Sequence, residues 1–174
     1  YVSESGVTGA GSLNGIDPAL MEELLQDPNI QYADIMRICY AKPEEGVTVL
    51  AGVDLTHWSQ VSRQIWLEKP GAIETVSGAE PALVSETFAR RFGVLSGGVV
   101  ELQTPQGKKK VSPFGIFCDY GNEFGMAAIA QDKWTEWTGV DRPINAILFL
   151  KNATKLKETR DRLRLAFPGL DIRN

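Results

Sequence analysis

Hydrophobic positions in this chain come in short bursts separated by polar turns, never in one long run. The densest burst is Phe114, Ile116, Phe117 and Cys118, interrupted only by Gly115. It predicts a buried strand. Asp119, Gly121, Asn122 and Gly125 follow directly, and all are turn formers. A strand cannot continue through them, so an ordered polar corner is expected. The apolar segment 126–130 then predicts a second buried strand. Strand, corner and strand make an elbow around which the rest of the chain is arranged.

Taken in order, residues 1–5 predict a short strand and 6–15 a Gly/Ser/Thr/Asn-rich loop. Asp17-Pro18 marks a helix start, with Asp17 as cap and Pro18 in the first helical position. Leu20, Leu24 and Leu25 are its expected buried face. Asp27-Pro28-Asn29 stops it. Residues 30–41 and 47–53 read as strands joined by a turn at 43–46, a hairpin. Asp54 caps a short helix over 54–61, with Leu55, Trp58 and Val61 on one face. A strand at 64–68 precedes a loop over 69–80, and a short buried strand spans 82–84. Ser85 then caps a helix carrying Phe88 and Phe92, which Gly93 ends. Residues 99–104 and 109–117 form a second hairpin about Pro105-Gln106-Gly107. Beyond the elbow, 131–138 predicts a helix with Trp134 and Trp137, and 144–150 a strand. Asn152 caps a helix running to Phe167, with Leu156, Leu163 and Phe167 inward. Pro168-Gly169 ends it before a last strand at 170–173.

The two ends therefore share an order of strand, helix, Pro-containing turn and strand, each a β-α-β element. The middle is richer in short strands. The expectation is an α+β fold: a βαβ-containing subdomain over 1–64 and 125–174, with a β-rich subdomain inserted at 65–124.

The chain of 174 residues is 43% hydrophobic and 23% charged, the composition of a folded domain or of two small subdomains. A net charge of −4 with no clustered basic helix argues against a nucleic-acid partner. No apolar run reaches the length of a membrane span. The chain opens at Tyr1 without a signal peptide, so it reads as a mature or excised fragment. Cys39 and Cys118 do not form a metal-spaced pair and read as small buried hydrophobes, with an inter-strand disulfide open.

Candidate chemistry is sparse. His57 is the only histidine, and Asp54, His57 and Ser59 on one short helix would point in different directions. No phosphate loop and no nucleotide-binding glycine triplet is present, so no cofactor is expected. Asp119 and Glu123 are the only acidic pair at the elbow. They could hold a cation or act as acid and base, but Asx-type bonds from Asp119 and Asn122 are the structural reading. Lys108, Lys109, Lys110 and Lys133 could meet anionic head groups, or form a solvated hairpin tip. Asn152-Ala153-Thr154 fits a glycosylation sequon but reads as a helix cap.

Several patches occur together in one order: Tyr1-Val2-Ser3 and Asp17-Pro18-Ala19-Leu20; Val49-Leu50-Ala51-Gly52-Val53-Asp54; Leu83-Val84-Ser85-Glu86 with Ala89-Arg90-Arg91-Phe92-Gly93; Val100-Glu101-Leu102-Gln103-Thr104-Pro105 with Gly107. The series ends in Asp119-Tyr120-Gly121-Asn122-Glu123 and Gly125. This series resembles the extracytoplasmic domains of FtsX-like, MacB-type ABC transporter permeases over nearly the whole chain. It departs at Phe124, where a basic residue is expected, and at Gly98, where Asp is expected. The resemblance implies a non-catalytic, porter-like domain outside the cytoplasmic membrane, between two membrane helices of a permease. It implies an ABC ATPase as partner through the membrane part, a second permease copy, and room for a periplasmic or outer-membrane partner. ATP hydrolysis in the cytoplasm would be coupled mechanically to substrate handling outside. Such a loop requires Tyr1 and Asn174 at one pole, with Phe88 and the Lys108 hairpin away from it. The alternatives are a small hydrolase using His57 and a free-standing binding module.

Overall fold

In the computed structural model, residues 1–4, 15–43, 46–60, 64–76, 78–95, 97–119 and 121–174 are described. The expected loop at 6–14, the turn residues Glu44 and Glu45, Val61, and Tyr120 of the corner lie outside them. The chain divides into two compact units, 1–37 with 141–174 and 38–140. The sequence expectation placed the divisions at 64/65 and 124/125 instead. The reason for the difference is strand pairing: Thr48–Val53 and Met126–Ala130, assigned by sequence to the subdomain over 1–64 and 125–174, pair inside the 38–140 unit.

The first unit is built from two β-α-β elements. β1 (Val2–Glu4) leads to α1 (Pro18–Leu25) and β2 (Ile30–Pro43). Asp17 caps α1 by accepting from the Ala19 N–H at 2.8 Å, and Pro18 occupies the first turn. The buried stripe is Met21 and Leu24, with Leu25 packed beside them. Leu20, expected in that stripe, is 39% exposed, because the helix turns the 21/24/25 positions onto the sheet. The numbering then passes to the second unit, and the first resumes with β9 (Asn145–Leu150), α5 (Leu156–Ala166) and β10 (Leu170–Ile172). Asn152 caps the single 3-10 turn before α5, accepting from the Thr154 N–H. Leu163 and Phe167 are buried, whereas Leu156 is 45% exposed at the helix start.

The strand order here is β10-β1-β9-β2, with every neighbouring pair antiparallel. Each β-α-β element is therefore split: β9 lies between β1 and β2, and β1 lies between β9 and β10. This is the ferredoxin-like arrangement. Val2, Ile30, Ala146, Leu170 and Ile172 from the strands meet Met21, Leu24, Leu163 and Phe167 from the helices in one core. The turns ending α1 and opening α5 are cross-linked. Asn29 donates to Thr159 Oγ1 at 2.8 Å and accepts from the Asn152 N–H at 3.1 Å. Arg162 grips the Asp27 carboxylate with both Nε and Nη2.

The second unit takes the end of β2 and adds β3 (Thr48–Val53), α2 (Leu55–Gln60), β4 (Trp66–Glu68), β5 (Glu80–Ser85) and α3 (Glu86–Phe92). It continues with β6 (Val100–Thr104), β7 (Gly107–Phe117), β8 (Met126–Ala130) and α4 (Gln131–Thr138). Its strands run β3-β8-β5-β7-β4, with β6 pairing β7 and the last residues of β2. β3 with β8 and β5 with β7 are parallel, and both pairs are buried. All six residues of β3 are buried, the pattern of a strand covered on both faces. β7 changes character along its length. Residues 107–110 alternate between exposed and half-buried where only the hairpin holds them, and all seven from Val111 to Phe117 are buried. Phe88, Trp134, Trp137, Leu50, Leu102, Ile116 and Ile129 fill this unit's core.

Candidate functional site

The elbow connects β7 to β8, and its geometry centres on Gly125. Gly125 has φ +73°, a left-handed conformation that side chains with a Cβ resist. It also lies against the start of α3: a Cβ there would stand 2.7 Å from the Phe88 backbone nitrogen and 2.8 Å from its Cα. The Gly125 carbonyl accepts from the Val49 N–H at 2.9 Å and from Thr48 Oγ1 at 3.0 Å, so the corner is tied to the first residues of β3. One residue on, the Met126 N–H donates to Ser85 Oγ at 2.9 Å. The same Ser85 oxygen accepts from the Phe88 N–H at 3.2 Å, as the cap of α3. One hydroxyl thus holds both a helix start and a strand start.

The polar residues of the corner act locally. Asp119 Oδ1 accepts from the Gly121 N–H at 3.0 Å, and Asn122 Oδ1 from the Phe124 N–H at 3.0 Å. Both are Asx-type bonds two residues ahead. Gly121, unlike Gly125, is not in the left-handed region, and a Cβ there would meet only Asp119 Oδ1 at 3.6 Å. Glu123 is exposed. Phe124, at the position where the resemblance called for a basic residue, packs edge-on to Tyr40 at 6.2 Å. Arg91 of α3 also reaches the corner: its Nη1 donates to the carbonyls of Val47 at 2.9 Å and Phe124 at 3.4 Å. The contacts from Ser85, Thr48 and Arg91 span 41, 77 and 33 residues of chain, a distance over which no sequence pattern signals them.

His57 lies in α2. Asp54 Oδ1 accepts from the His57 backbone N–H at 2.9 Å as the helix cap, and Ser59 Oγ donates to the Thr56 carbonyl at 3.0 Å. Among the described residues there is no group of three or more His, Cys, Asp or Glu able to hold a metal ion. Both cysteines are free thiols, so the disulfide left open by the sequence is not formed. Burial pushes the Cys39 thiol up to about 11, against a smaller opposing effect of a hydrogen bond with Trp134. Two lysines of the β6–β7 hairpin are engaged with acids, Lys108 with Glu101 and Lys109 with Glu136, and Lys133 of α4 pairs with Glu136 and Glu80. Among the described residues, no helix is long and apolar enough to cross a membrane.

No protein-family profile matches the chain, and no curated protein matches it by sequence. Its fold is nevertheless that of extracytoplasmic domains of ABC transporter permeases. The extracellular domain of the noncanonic ABC-type transporter YknZ from Gram-positive bacteria superposes with a TM-score of 0.63 at 12% identity, covering 99% of this chain and 98% of that one. The periplasmic region of MacB from Actinobacillus actinomycetemcomitans superposes with a TM-score of 0.60 at 12% identity, covering 99% and 86%. The α+β architecture expected from sequence is the architecture of these domains.

Proposed function

We propose that this chain is the extracytoplasmic domain of an FtsX-like, MacB-type ABC transporter permease. In this reading it does no chemistry. It couples ATP hydrolysis by a cytoplasmic ATPase to movement or handling of a substrate outside the membrane, and it works beside a second permease copy. The observation that carries the reading is the likeness of fold to YknZ and MacB domains over 99% of this chain, with 98% and 86% of those domains covered. The terminal strands support it. β1 and β10 pair antiparallel with Val2 opposite Ile172, and the Tyr1 amine donates to the Arg173 carbonyl at 3.1 Å. A segment whose two ends leave side by side suits an insertion between two membrane helices. Phe88 and Lys108 belong to the other unit.

The elbow has a structural role in the same reading. Its Asx bonds and the Gly125 carbonyl fix where β8 starts relative to β3 and α3, so that displacement of one element is transmitted to the others.

The test is made on the parent gene and on the purified chain. Apolar spans of about 20 residues are expected just before Tyr1 and again after Asn174. The purified chain is expected to turn over neither ATP nor ester substrates. A parent gene without flanking spans would overturn the transporter reading in favour of a free-standing binding module. Turnover that disappears on His57→Ala would overturn it in favour of a hydrolase.

A further inference from the structure

In the first unit, every residue over 151–158, from the end of β9 into the first turn of α5, is exposed. Lys151, Lys155 and Lys157 belong to this segment, and Leu156 stands between the last two. We propose that the segment docks on an anionic bilayer surface, with the three ammonium groups at lipid phosphates and Leu156 in the interface between head groups and acyl chains. The proposal rests on the transporter reading for the side on which the bilayer lies, and it names the lipid surface as a partner of this unit.

Three observations carry the proposal. The first is direction. β1 is antiparallel to β9 with Val2 opposite Ala146, so stepping back from Val2 to Tyr1 follows β9 towards Leu150 and the start of α5. The Tyr1 amine is bonded to Arg173, and Arg160 Nη1, one turn into α5, donates to Asn174 Oδ1 at 3.0 Å. Both chain ends therefore lead to the end of the unit that carries 151–157, and membrane spans joined to them bring a bilayer to that end. The second is charge. Among the described residues, Lys151, Lys155 and Lys157 are in no ion pair. Lys151 Nζ donates to the Pro28 carbonyl at 2.8 Å, a neutral partner that leaves its charge in place. The acids nearby are engaged with arginines: Asp27 and Glu158 with Arg162, Asp161 with Arg160, and Asp171 with Arg173. Glu22 and Glu23 lie about a turn back from Asp27, which itself meets α5 at Arg162, about 9 Å along the helix from Leu156. Outside the described residues only Glu44 and Glu45 are acidic. They follow Pro43, at one end of the 14-residue strand β2, whereas Asn29, which accepts from the Asn152 N–H, precedes Ile30 at the other. The third is the pattern of side chains. An exposed leucine between two lysines is the composition of an interfacial helix, where lysine stems reach back to the head groups and the apolar side chain is buried below them. The lysines that sequence offered for head groups, Lys108, Lys109 and Lys133, are instead paired with acids.

The whole chain carries a net charge of −4, so an anionic bilayer repels it overall and attraction has to come from a local surface. The 174-residue chain is floated at low ionic strength with vesicles of equal parts phosphatidylglycerol and phosphatidylcholine, and with vesicles of phosphatidylcholine alone. Binding to the mixed vesicles that weakens as salt is added is expected, with binding to phosphatidylcholine at least about tenfold weaker. Lys155→Gln combined with Lys157→Gln should weaken binding to the mixed vesicles about thirtyfold, the worth of two lysines at an anionic surface. Lys108→Gln combined with Lys110→Gln removes the same charge from the β6–β7 hairpin and should leave binding nearly unchanged. All four positions are at the surface, so both variants are expected to fold. The proposal is overturned if the chain does not bind the mixed vesicles, or binds phosphatidylcholine as well. It is overturned equally if the Lys155 and Lys157 variant binds undiminished, or if the hairpin variant loses as much. The flanking spans decide the transporter reading separately: spans without binding sink the docking alone, and binding without spans sinks the transporter reading alone.

Discussion

At the scale of single residues, the elbow depends on one glycine and not the other. Gly125 is left-handed and lies against the Phe88 backbone, so Gly125→Ala must both strain φ and push α3 away. A loss of about 1–3 kcal/mol is expected from the backbone conformation alone. Gly121→Ala meets ordinary van der Waals contact and should leave stability nearly unchanged. Urea denaturation of the two variants side by side checks the contrast, and equal losses would remove Gly125 from its role. Cys39 supplies a pH effect. Its folded thiol is pushed up to about 11, above the roughly 8.5 of an unfolded cysteine. Over that interval the unfolded chain gives up its proton before the folded one does. The group's contribution is intact below about pH 8.5 and is lost as pH rises towards 11. The urea midpoint should therefore fall more steeply between pH 8.5 and 11 in the wild type than in Cys39→Ala, which isolates the thiol from the lysines and tyrosines titrating nearby.

At the scale of elements, β3 and α4 approach closely at Gly52. A Cβ at Gly52 would sit 2.7 Å from both Cβ and Cγ of Trp134, a side chain only 2% exposed whose indole donates to the Leu50 carbonyl at 3.3 Å. Neither partner can retreat without breaking that bond or opening the core. Gly52→Ala should cost about 1–3 kcal/mol, the range for overpacking a filled interior. A thermal melt with Trp fluorescence reads both the loss and the displacement of Trp134. Local signals served well at this scale. Asp17, Ser85 and Asn152 cap as expected, and Gly93 ends α3 in a left-handed conformation. A cap is a contract between neighbours two or three residues apart, so sequence carries it. The buried stripes were less legible. Leu20 and Leu156 have the right residue type but are 39% and 45% exposed, while Met21, next to Leu20, is buried: which side of a helix meets the sheet is set by packing and not by residue type.

At the scale of the whole molecule, the two units differ in how the chain builds them. The second is one continuous segment, 38–140, with its own core of Leu50, Phe88, Leu102, Ile116, Ile129 and Trp134. The first needs both ends of the chain, since β1 is held between β9 and β10. An excised 38–140 fragment should therefore unfold cooperatively on its own. Deletion of 170–174 should instead disrupt the first unit by stripping β1 of one neighbour. Amide exchange separates the outcomes: protection at Leu50 and Ile129 should survive the deletion, while protection at Val2 should not. Loss of protection in both units together would show that they fold as one.

The sequence by itself determined most elements, their caps, the two β-α-β ends, the hairpin about Pro105-Gln106-Gly107 and the polar corner at Asp119. These rest on periodicity, turn chemistry and neighbours within a few residues, which a linear chain displays openly. Only the tertiary structure decided that each β-α-β element is split by a strand of the other, that β3 and β8 pair in parallel within the central unit, and that Gly125 rather than Gly121 carries the elbow. Strand order and register are settled by hydrogen bonds between segments up to 172 residues apart, as between Tyr1 and Arg173. Such pairings depend on which apolar faces can be buried together, a property of the assembled sheet that no local pattern encodes.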